Sequence, residues 1–181
     1  MKGDQGEAKR LPADLCVQLV DQFDLLGWDR LESVSPSLRE FDVTARDPKG
    51  RVHVVHISLP QNFPQGAPTC KADLPGAQEA VRWDPQRSTL RDVLAQFERS
   101  LLRCQEFWDL LDELDSKCQV LEPENPPRGS TLRRISLGSH CSVQIEIDPD
   151  HPRTMPEVRF MGSDAKIAPL KKLLNKNMRK W

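Results

Sequence analysis

The sequence predicts a mixed α/β (α+β) protein in which two antiparallel β-meanders are joined by one long shared helix. In each half of the chain, apolar and polar residues alternate over short segments, which is the pattern of half-buried strands. Between these segments, apolar residues recur at spacings of three and four from Thr89 to Cys118. A helix over this range would be about 45 Å long, which indicates a spine that two lobes share.

The composition bounds the class of protein. The 181 residues, 38% hydrophobic and 29% charged, suffice for one large domain or two small lobes. A formal net charge of −1 argues against a molecule-wide attraction to nucleic acid or membrane. No apolar run approaches the roughly 18 residues that cross a bilayer. Five scattered cysteines form no disulfide framework and favour a reducing compartment, so we expect nucleus and cytoplasm.

The first half is predicted to contain a helix, a hairpin and an ordered loop. Residues 1–10 are polar, and we expect a disordered or non-native leader. A helix opens at Leu11–Asp14, with Pro12 in its first turn, and ends at Gly27, and one face of it carries the apolar residues Leu15, Leu19, Phe23 and Leu26. Alternation and turn residues then predict strands at Phe41–Ala45, Val52–Leu59 and Thr69–Leu74, with a proline-rich loop at 63–68 before the third strand.

The second half is predicted to begin after the long helix. The proline-rich run Val120–Pro127 cannot be helical and is the best internal boundary, so we expect a first lobe at 11–118 and a second at 119–181. Three strands follow, around Ile135–Leu137, Val143–Ile147 and Val158–Met161. A last helix runs from Lys166 to the end, with Pro169 in its first turn and the apolar residues Leu170, Leu173, Leu174, Met178 and Trp181 on one side.

The cysteines and histidines do not form a reactive or metal-binding pattern. His53 and His56, read as surface histidines, differ in strand parity, as do His140 and Cys141, so neither pair chelates easily. We therefore expect no metal and no cofactor. Cys70 is the one cysteine placed where chemistry is conceivable, and its neighbourhood in the sequence offers no base, so a packing role is favoured.

Charged residues cluster on two predicted helices. Acidic residues gather near the end of the long helix, where a solvated face is the simplest interpretation. The last helix is basic, with Lys166, Lys171, Lys172, Lys176, Arg179 and Lys180. These cations complement the helix dipole, and they could also dock on an acidic protein or weakly contact nucleic acid. Few aromatic residues are interleaved, so base stacking is not favoured.

Several motifs resemble a known family. The first half, with its helix, hairpin and Phe63–Pro68 loop, resembles an RWD domain, a relative of the ubiquitin-conjugating (UBC) fold. The chain from Leu11 to Trp181 is similar to the central double-RWD domain of the FANCL family, the Fanconi anaemia RING-type E3 ubiquitin ligases. The motifs that carry this likeness are Gly27–Leu31, Phe107–Asp115, Val120–Arg128, Arg133–Gly138 and Glu146–Pro152.

This resemblance implies a UBC/RWD-like double lobe that docks proteins. In the family, the central domain recruits the paired Fanconi substrate proteins for monoubiquitination in DNA interstrand crosslink repair, alongside other core-complex subunits. The ubiquitin-conjugating enzyme (E2) binds through a RING, whose zinc-ligand pattern is absent from this sequence. Neither a membrane nor nucleic acid is expected as a partner. The alternative is a generic RWD-type interaction scaffold with weak nucleic-acid contact through the basic C-terminal helix.

The resemblance also assigns candidate functional residues. Conjugating enzymes place His-Pro-Asn before a nucleophilic cysteine, whereas here Arg153 follows His151-Pro152 and no cysteine comes later, so we expect no catalytic residue. The family docks substrates through an apolar patch on the second lobe. The positions that match it are Gln119, Leu121, Met155, Arg159, Met161 and Lys172. Three of these are not apolar, so we expect an interface that mixes Met, Leu and Arg. Met161 is adjacent to Phe160 on a predicted strand, so we expect the two side chains to face opposite sides.

Overall fold

The computed structural model describes residues 12–178, and contacts divide the chain into two compact units. The first unit comprises the described chain up to Asp73 together with Gln78–Leu102. The second comprises Leu74–Ala77 and the chain from Arg103 onward. The predicted leader at 1–10, and the predicted roles of Arg179, Lys180 and Trp181 in the last helix, lie outside the described residues.

The first unit combines two helices with a four-stranded antiparallel sheet. Its elements are α1 (Ala13–Leu26), β1 (Leu31–Val34), β2 (Glu40–Arg46), β3 (Val52–Ser58), β4 (Thr69–Ala72) and α2 (Leu90–Arg103). The strands lie in the order β1-β2-β3-β4. The predicted first helix and the predicted hairpin are confirmed, and β1 is an additional strand that the sequence analysis missed.

The core of the first unit follows the predicted apolar faces. Val55 and Ile57 of β3 are fully buried, as are Leu19 and Phe23 of α1. Gly27 ends α1 with φ of +93°, a conformation that a residue without Cβ adopts readily. His53, expected at the surface, is buried because it has the same strand parity as Val55 and Ile57.

The second unit repeats the architecture with its own four-stranded antiparallel sheet. Its elements are α3 (Gln105–Lys117), β5 (Val120–Glu122), β6 (Leu132–Gly138), β7 (Cys141–Glu146), β8 (Glu157–Met161) and α4 (Asp164–Asn177). The strands lie in the order β5-β6-β7-β8. The three predicted strands are confirmed. The run Val120–Glu122, interpreted as part of a connection, instead forms the edge strand β5.

The prediction of one continuous helix from Thr89 to Cys118 was wrong. The structure has two helices, α2 and α3, which are separated at Cys104. The backbone of Cys104 stays near the helical region (φ −86°, ψ −2°), so the apolar period passes through the interruption without a visible change. Periodicity therefore could not reveal the break.

The contacts also divide the chain earlier than the predicted boundary at residue 118. Three apolar side chains of α3, those of Phe107, Trp108 and Leu111, are buried. The indole of Trp108 donates a 2.9 Å hydrogen bond to the carbonyl of Arg128. These interactions attach α3 to the segment before β6, so α3 belongs with the second sheet.

The last helix differs in detail from the prediction. It begins at Asp164, so Pro169 lies in the second turn and not in the first. Ile167 is its buried apolar residue, whereas Leu173 and Met178 are exposed by 58% and 49%. The apolar side of α4 is therefore narrower than the leucine pattern indicated.

Candidate protein-docking surface

The register of the second sheet defines a polar face that crosses all four strands. Arg134 of β6 pairs with Glu122 of β5 and with Gln144 of β7, and Gln144 pairs with Arg159 of β8. Residues paired across neighbouring strands lie on the same side of a sheet. We call the side that carries Glu122, Arg134, Gln144 and Arg159 the polar sheet face.

A second set of paired residues, next to the first, adds a methionine to the polar sheet face. Ser136, Ser142 and Met161 pair in succession, two residues along each strand from the first row. Met161 therefore lies on the opposite side of β8 from Phe160, as its strand parity predicted. It is half-buried, and its place beside Arg159 gives the face an apolar spot at the β8 edge.

The predicted docking residues fall at both edges of this sheet. Gln119 and Leu121, both exposed, lie immediately before and within β5. Met155 precedes β8, and Arg159 and Met161 lie within it. Because β5 and β8 are the outer strands, three strand spacings, roughly 14 Å, separate the two groups. Five of the six residues thus lie in or next to the two edge strands of the sheet, but they do not form one continuous patch.

Lys172, the sixth predicted residue, lies on α4 and not in the sheet. It follows the buried Ile167 by five residues, which turns it about 140° around the helix axis. Its side chain is exposed. The structure therefore does not bring Lys172 together with the polar sheet face.

Two residues of the polar sheet face were missed by the sequence analysis. Arg134 donates hydrogen bonds to Glu122 Oε1 and to Ser142 Oγ, each at 3.1 Å. Gln144 lies between Arg134 and Arg159. The signal was present in the sequence, since Arg134 alternates with Ile135 and Gln144 alternates with Val143 and Ile145. In contrast to Arg134, Arg159 has no carboxylate within 4.0 Å among residues 12–178.

Three cysteines of the described chain, Cys70, Cys104 and Cys141, are withdrawn from solvent. Cys70 in β4 is half-buried, and burial raises the pKa of its thiol to about 11. Burial likewise raises the pKa of the Cys104 thiol, and Cys141 is buried. A thiol that stays protonated at neutral pH is a weak nucleophile.

The remaining candidate groups occupy ordinary structural settings. His151 lies in a turn, 3.1 Å from Asp148 Oδ2, and the backbone N–H of Asp150 together with His151 lowers the pKa of the Asp148 carboxyl. Over the described range, no group of three or more His, Cys, Asp or Glu side chains is arranged to hold a metal ion. Nor is any of its helices both long and apolar enough for a membrane span.

Comparison with known proteins places both units in one class. Residues 14–104 match the family model described as FANCL UBC-like domain 2, and residues 106–181 match FANCL UBC-like domain 3. The limit between the two models coincides with the interruption between α2 and α3. The chain is thus a pair of ubiquitin-conjugating-enzyme-like α/β domains. It belongs to the FANCL family.

A mouse relative and a solved structure agree with this assignment. The chain is 40% identical over 166 residues to the E3 ubiquitin-protein ligase FANCL of Mus musculus, covering 92% of this chain and 44% of that protein. A structure described as "Crystal Structure of FANCL" superposes with a TM-score of 0.69 over 90% of this chain and 44% of the other, at 16% identity, which shows the fold. The chain therefore spans less than half the length of the relatives it matches.

Proposed function

We propose that this chain is the substrate-docking region of a FANCL-family E3 ubiquitin ligase. In this proposal it recruits the paired Fanconi substrate proteins for monoubiquitination in DNA interstrand crosslink repair. The observation that carries the proposal is the polar sheet face, which presents Arg159 without an ion-pair partner in the described chain and Met161 beside it. A surface of this kind can hold a partner protein.

The chemistry of the candidate surface is typical of a transient interface. Met and Arg are enriched in protein interfaces, and a methionine adapts its shape to a partner. Leu121, at the opposite β5 edge, is 40% exposed and is a separate apolar contact point. An arginine that has not yet formed an ion pair can form a bidentate bond with a partner carboxylate.

Docking of this kind would contribute to ubiquitin transfer by proximity. Docking would hold the acceptor protein near an E2 that carries ubiquitin. The effective concentration of the acceptor at the E2 would then be higher than in free solution. In this proposal the E2 binds another part of the ligase, and other core-complex subunits bind elsewhere. The expected place of action is the nucleus, with a cytoplasmic pool.

A capture experiment tests the proposal. The immobilised chain should retain the paired Fanconi substrate proteins, and Met155→Asp combined with Met161→Asp should reduce capture by about tenfold or more, because a buried carboxylate at an interface is costly. Val54→Asp is the matched control, since Val54 is an exposed apolar strand residue of the first unit. Circular dichroism should be unchanged in every variant.

Two outcomes would count against this surface. If the doubly substituted chain captures the substrate proteins as well as the native chain does, the two methionines are not in the site. If the Val54→Asp control loses capture to the same extent, the docking surface lies in the first unit. If the native chain captures neither substrate protein, the proposed function itself is wrong.

A further inference from the structure

The two sheets have four edge strands, and three of them are protected against further pairing. β1 and β5 each contain a register shift, between Leu31 and Ser33 and between Val120 and Glu122. An irregular register on a short strand hinders the addition of another strand. Addition of a further strand to the edge of β1 or of β5 is therefore disfavoured.

The edge of β4 is occupied by a side chain. The amide of Gln78 donates to the carbonyl of Ala72 and accepts a 3.2 Å hydrogen bond from the Ala72 N–H. The side-chain amide thus makes the pair of bonds that a neighbouring strand would make. This arrangement leaves little of the β4 edge available to another chain.

The edge of β8 has neither a register shift nor a side chain of the described residues bonded to its backbone. Its five residues pair with β7 in unbroken register from Glu157 to Met161. Within residues 12–178, its backbone has no hydrogen bonds beyond those of the β7 ladder. In an antiparallel ladder, alternate residues of an edge strand point their N–H and C=O groups away from the sheet. As far as residues 12–178 are concerned, β8 therefore presents unpaired backbone groups along about 17 Å of strand.

A groove runs beside β8 and has the dimensions of a binding site. It lies between β8 and α4, encloses about 420 Å³, and is lined by Val158, Arg159, Phe160, Lys171, Leu174 and Asn175. Val158, Phe160 and Leu174 contribute the apolar part of its lining, and Arg159, Lys171 and Asn175 contribute the polar part. Ligand pockets commonly have volumes of about 300–1,000 Å³.

The charges that line the groove favour an acidic occupant. Arg159 and Lys171 are its two charged residues, both are cationic, and neither has a carboxylate within 4.0 Å in the described part of the chain. An occupant with carboxylates would complement them. A second copy of this chain is disfavoured, because it would bring its own Arg159 and Lys171 to the same edge.

We propose that β8 accepts an extended acidic segment of a partner protein as a fifth strand of the second sheet. Because side chains of a strand alternate, one set would point to Phe160 and Leu174, and the other would lie beside Arg159 on the polar sheet face. The preferred segment therefore alternates apolar and acidic residues. The inference deepens the proposed function and rests on it in one respect, that the segment belongs to the docked substrate protein.

A peptide titration tests the groove without any substrate protein. The probe is a fluorescent, end-blocked peptide of sequence Glu-Val-Glu-Leu-Glu-Val-Glu, compared with the same peptide carrying Lys in place of Glu. The acidic peptide should bind and the lysine peptide should not. Lys171→Glu and Arg159→Glu should each weaken binding of the acidic peptide by about tenfold, because each reverses a charge at the groove.

Lys176→Glu is the matched control for charge. Lys176 is an exposed lysine of the same helix that does not line the groove, and its substitution changes the net charge equally. Binding should therefore fall clearly less than in Lys171→Glu, because Lys176 does not line the groove. An equal loss in Lys176→Glu and Lys171→Glu would overturn the groove in favour of general electrostatic attraction.

Backbone methylation tests the added strand itself. Two acidic peptides are made, each N-methylated at every second residue, in opposite registers. A strand uses only alternate N–H groups for one ladder, and the apolar-acidic pattern fixes the register. One peptide should lose binding and the other should retain most of it. Equal binding of both, or loss of both, would overturn strand addition.

The outcomes separate this inference from the proposed function. If the acidic peptide binds with the expected pattern and the substrate proteins are not captured, the groove is confirmed and its partner is a different protein. If the substrate proteins are captured and Lys171→Glu leaves that capture unchanged, the groove is not their docking site. Dimerisation of the chain that Lys171→Glu strengthens, measured by light scattering, would show that a second copy occupies β8.

Discussion

Arg133 is the most deeply buried arginine that the structure describes, with a side chain only 3% exposed. Its guanidinium donates to both carboxylate oxygens of Asp115, at 2.9 and 3.2 Å, and to the carbonyls of Ser130 and Leu132. A charge removed from water must be paired and hydrogen-bonded to be tolerated. This one side chain therefore links β6 to α3.

Substitution of Asp115 should test that link. Asp115→Asn should lower the free energy of unfolding by about 1–3 kcal/mol, because it leaves the buried guanidinium without its counter-charge. The figure is below that of a fully buried pair, since the Asp115 side chain is 31% exposed. Urea unfolding followed by tryptophan fluorescence measures the change.

Asp112→Asn is the matched control for this substitution. Asp112 also lies on α3 and pairs with an arginine, Arg128, but both side chains are more than 40% exposed. An exposed ion pair contributes little, so the change should stay within about 0.5 kcal/mol. If both variants lowered the free energy of unfolding equally, burial of Arg133 would not explain the effect of Asp115→Asn.

The Cys70 thiol provides a second test at the residue scale. Burial raises its pKa from 9.0 to about 11, so the thiolate fraction at pH 7 falls about a hundredfold. Alkylation by iodoacetamide, followed by peptide mass spectrometry, should therefore be slower at Cys70 than at the exposed Cys118. Its rate should continue to rise with pH up to about 11. A reducible ubiquitin adduct on Cys70, formed with activating enzyme and ATP, would contradict a purely structural role.

Among the elements, the edge strands distinguish the two sheets most clearly. Gln78 completes the edge of β4, whereas β8 has no corresponding side chain in the described chain. Gln78→Ala should therefore increase the amide exchange rate of Ala72, and should cost about 0.5–1.5 kcal/mol of stability at most. Hydrogen exchange followed by NMR measures both quantities.

Gln61→Ala is the control for the Gln78 experiment. Gln61 is also an exposed glutamine in a connection of the first unit, and no hydrogen bond of its side chain to the described residues is present. The exchange rate of Ala72 should not change in this variant. A change of the same size in both would mean that loss of any surface glutamine loosens the sheet.

At the scale of the whole molecule, the division into two units makes a prediction about fragments. A chain of residues 103–181 should fold and unfold cooperatively, because it keeps the buried residues of α3 together with β6. A chain of residues 119–181, cut at the boundary that the sequence indicated, should not. It loses Trp108, whose indole bonds to Arg128, and it loses Asp115, which pairs with the buried Arg133.

Circular dichroism and the dispersion of amide NMR signals distinguish the two fragments. Native-like dispersion in both would show that α3 is dispensable for the second sheet. Collapse of both would show that the second sheet needs chain outside residues 103–181, and Leu74–Ala77 is the part of it that contacts assign to the second unit. Either result would require a different boundary from the one that contacts define.

Much of the secondary structure could be predicted because the responsible forces are local. Alternation of apolar residues identified β3 and β7, and a glycine with positive φ marked the end of α1. The short edge strands β1 and β5 escaped prediction. They have no apolar alternation of their own, and they exist because neighbouring strands supply their hydrogen bonds.

The candidate surface was only partly predictable for a related reason. The family motifs supplied the positions of Arg159 and Met161, and strand parity assigned Met161 to the side of β8 opposite Phe160. Neither could show that Arg134 and Gln144 complete the same row, because that depends on register between strands. The polar sheet face is a property of the paired strands and not of any one segment.

The sequence by itself determined the class of fold and the family motifs, since these depend on residue types and on spacings along the chain. Only the tertiary structure decided that the long apolar helix is two helices, that α3 belongs with the second sheet, and that no described residue pairs with the outer edge of β8. These features arise from contacts and hydrogen bonds between residues far apart in the chain. Local periodicity contains no information about which distant partner a buried face or an unpaired strand will meet.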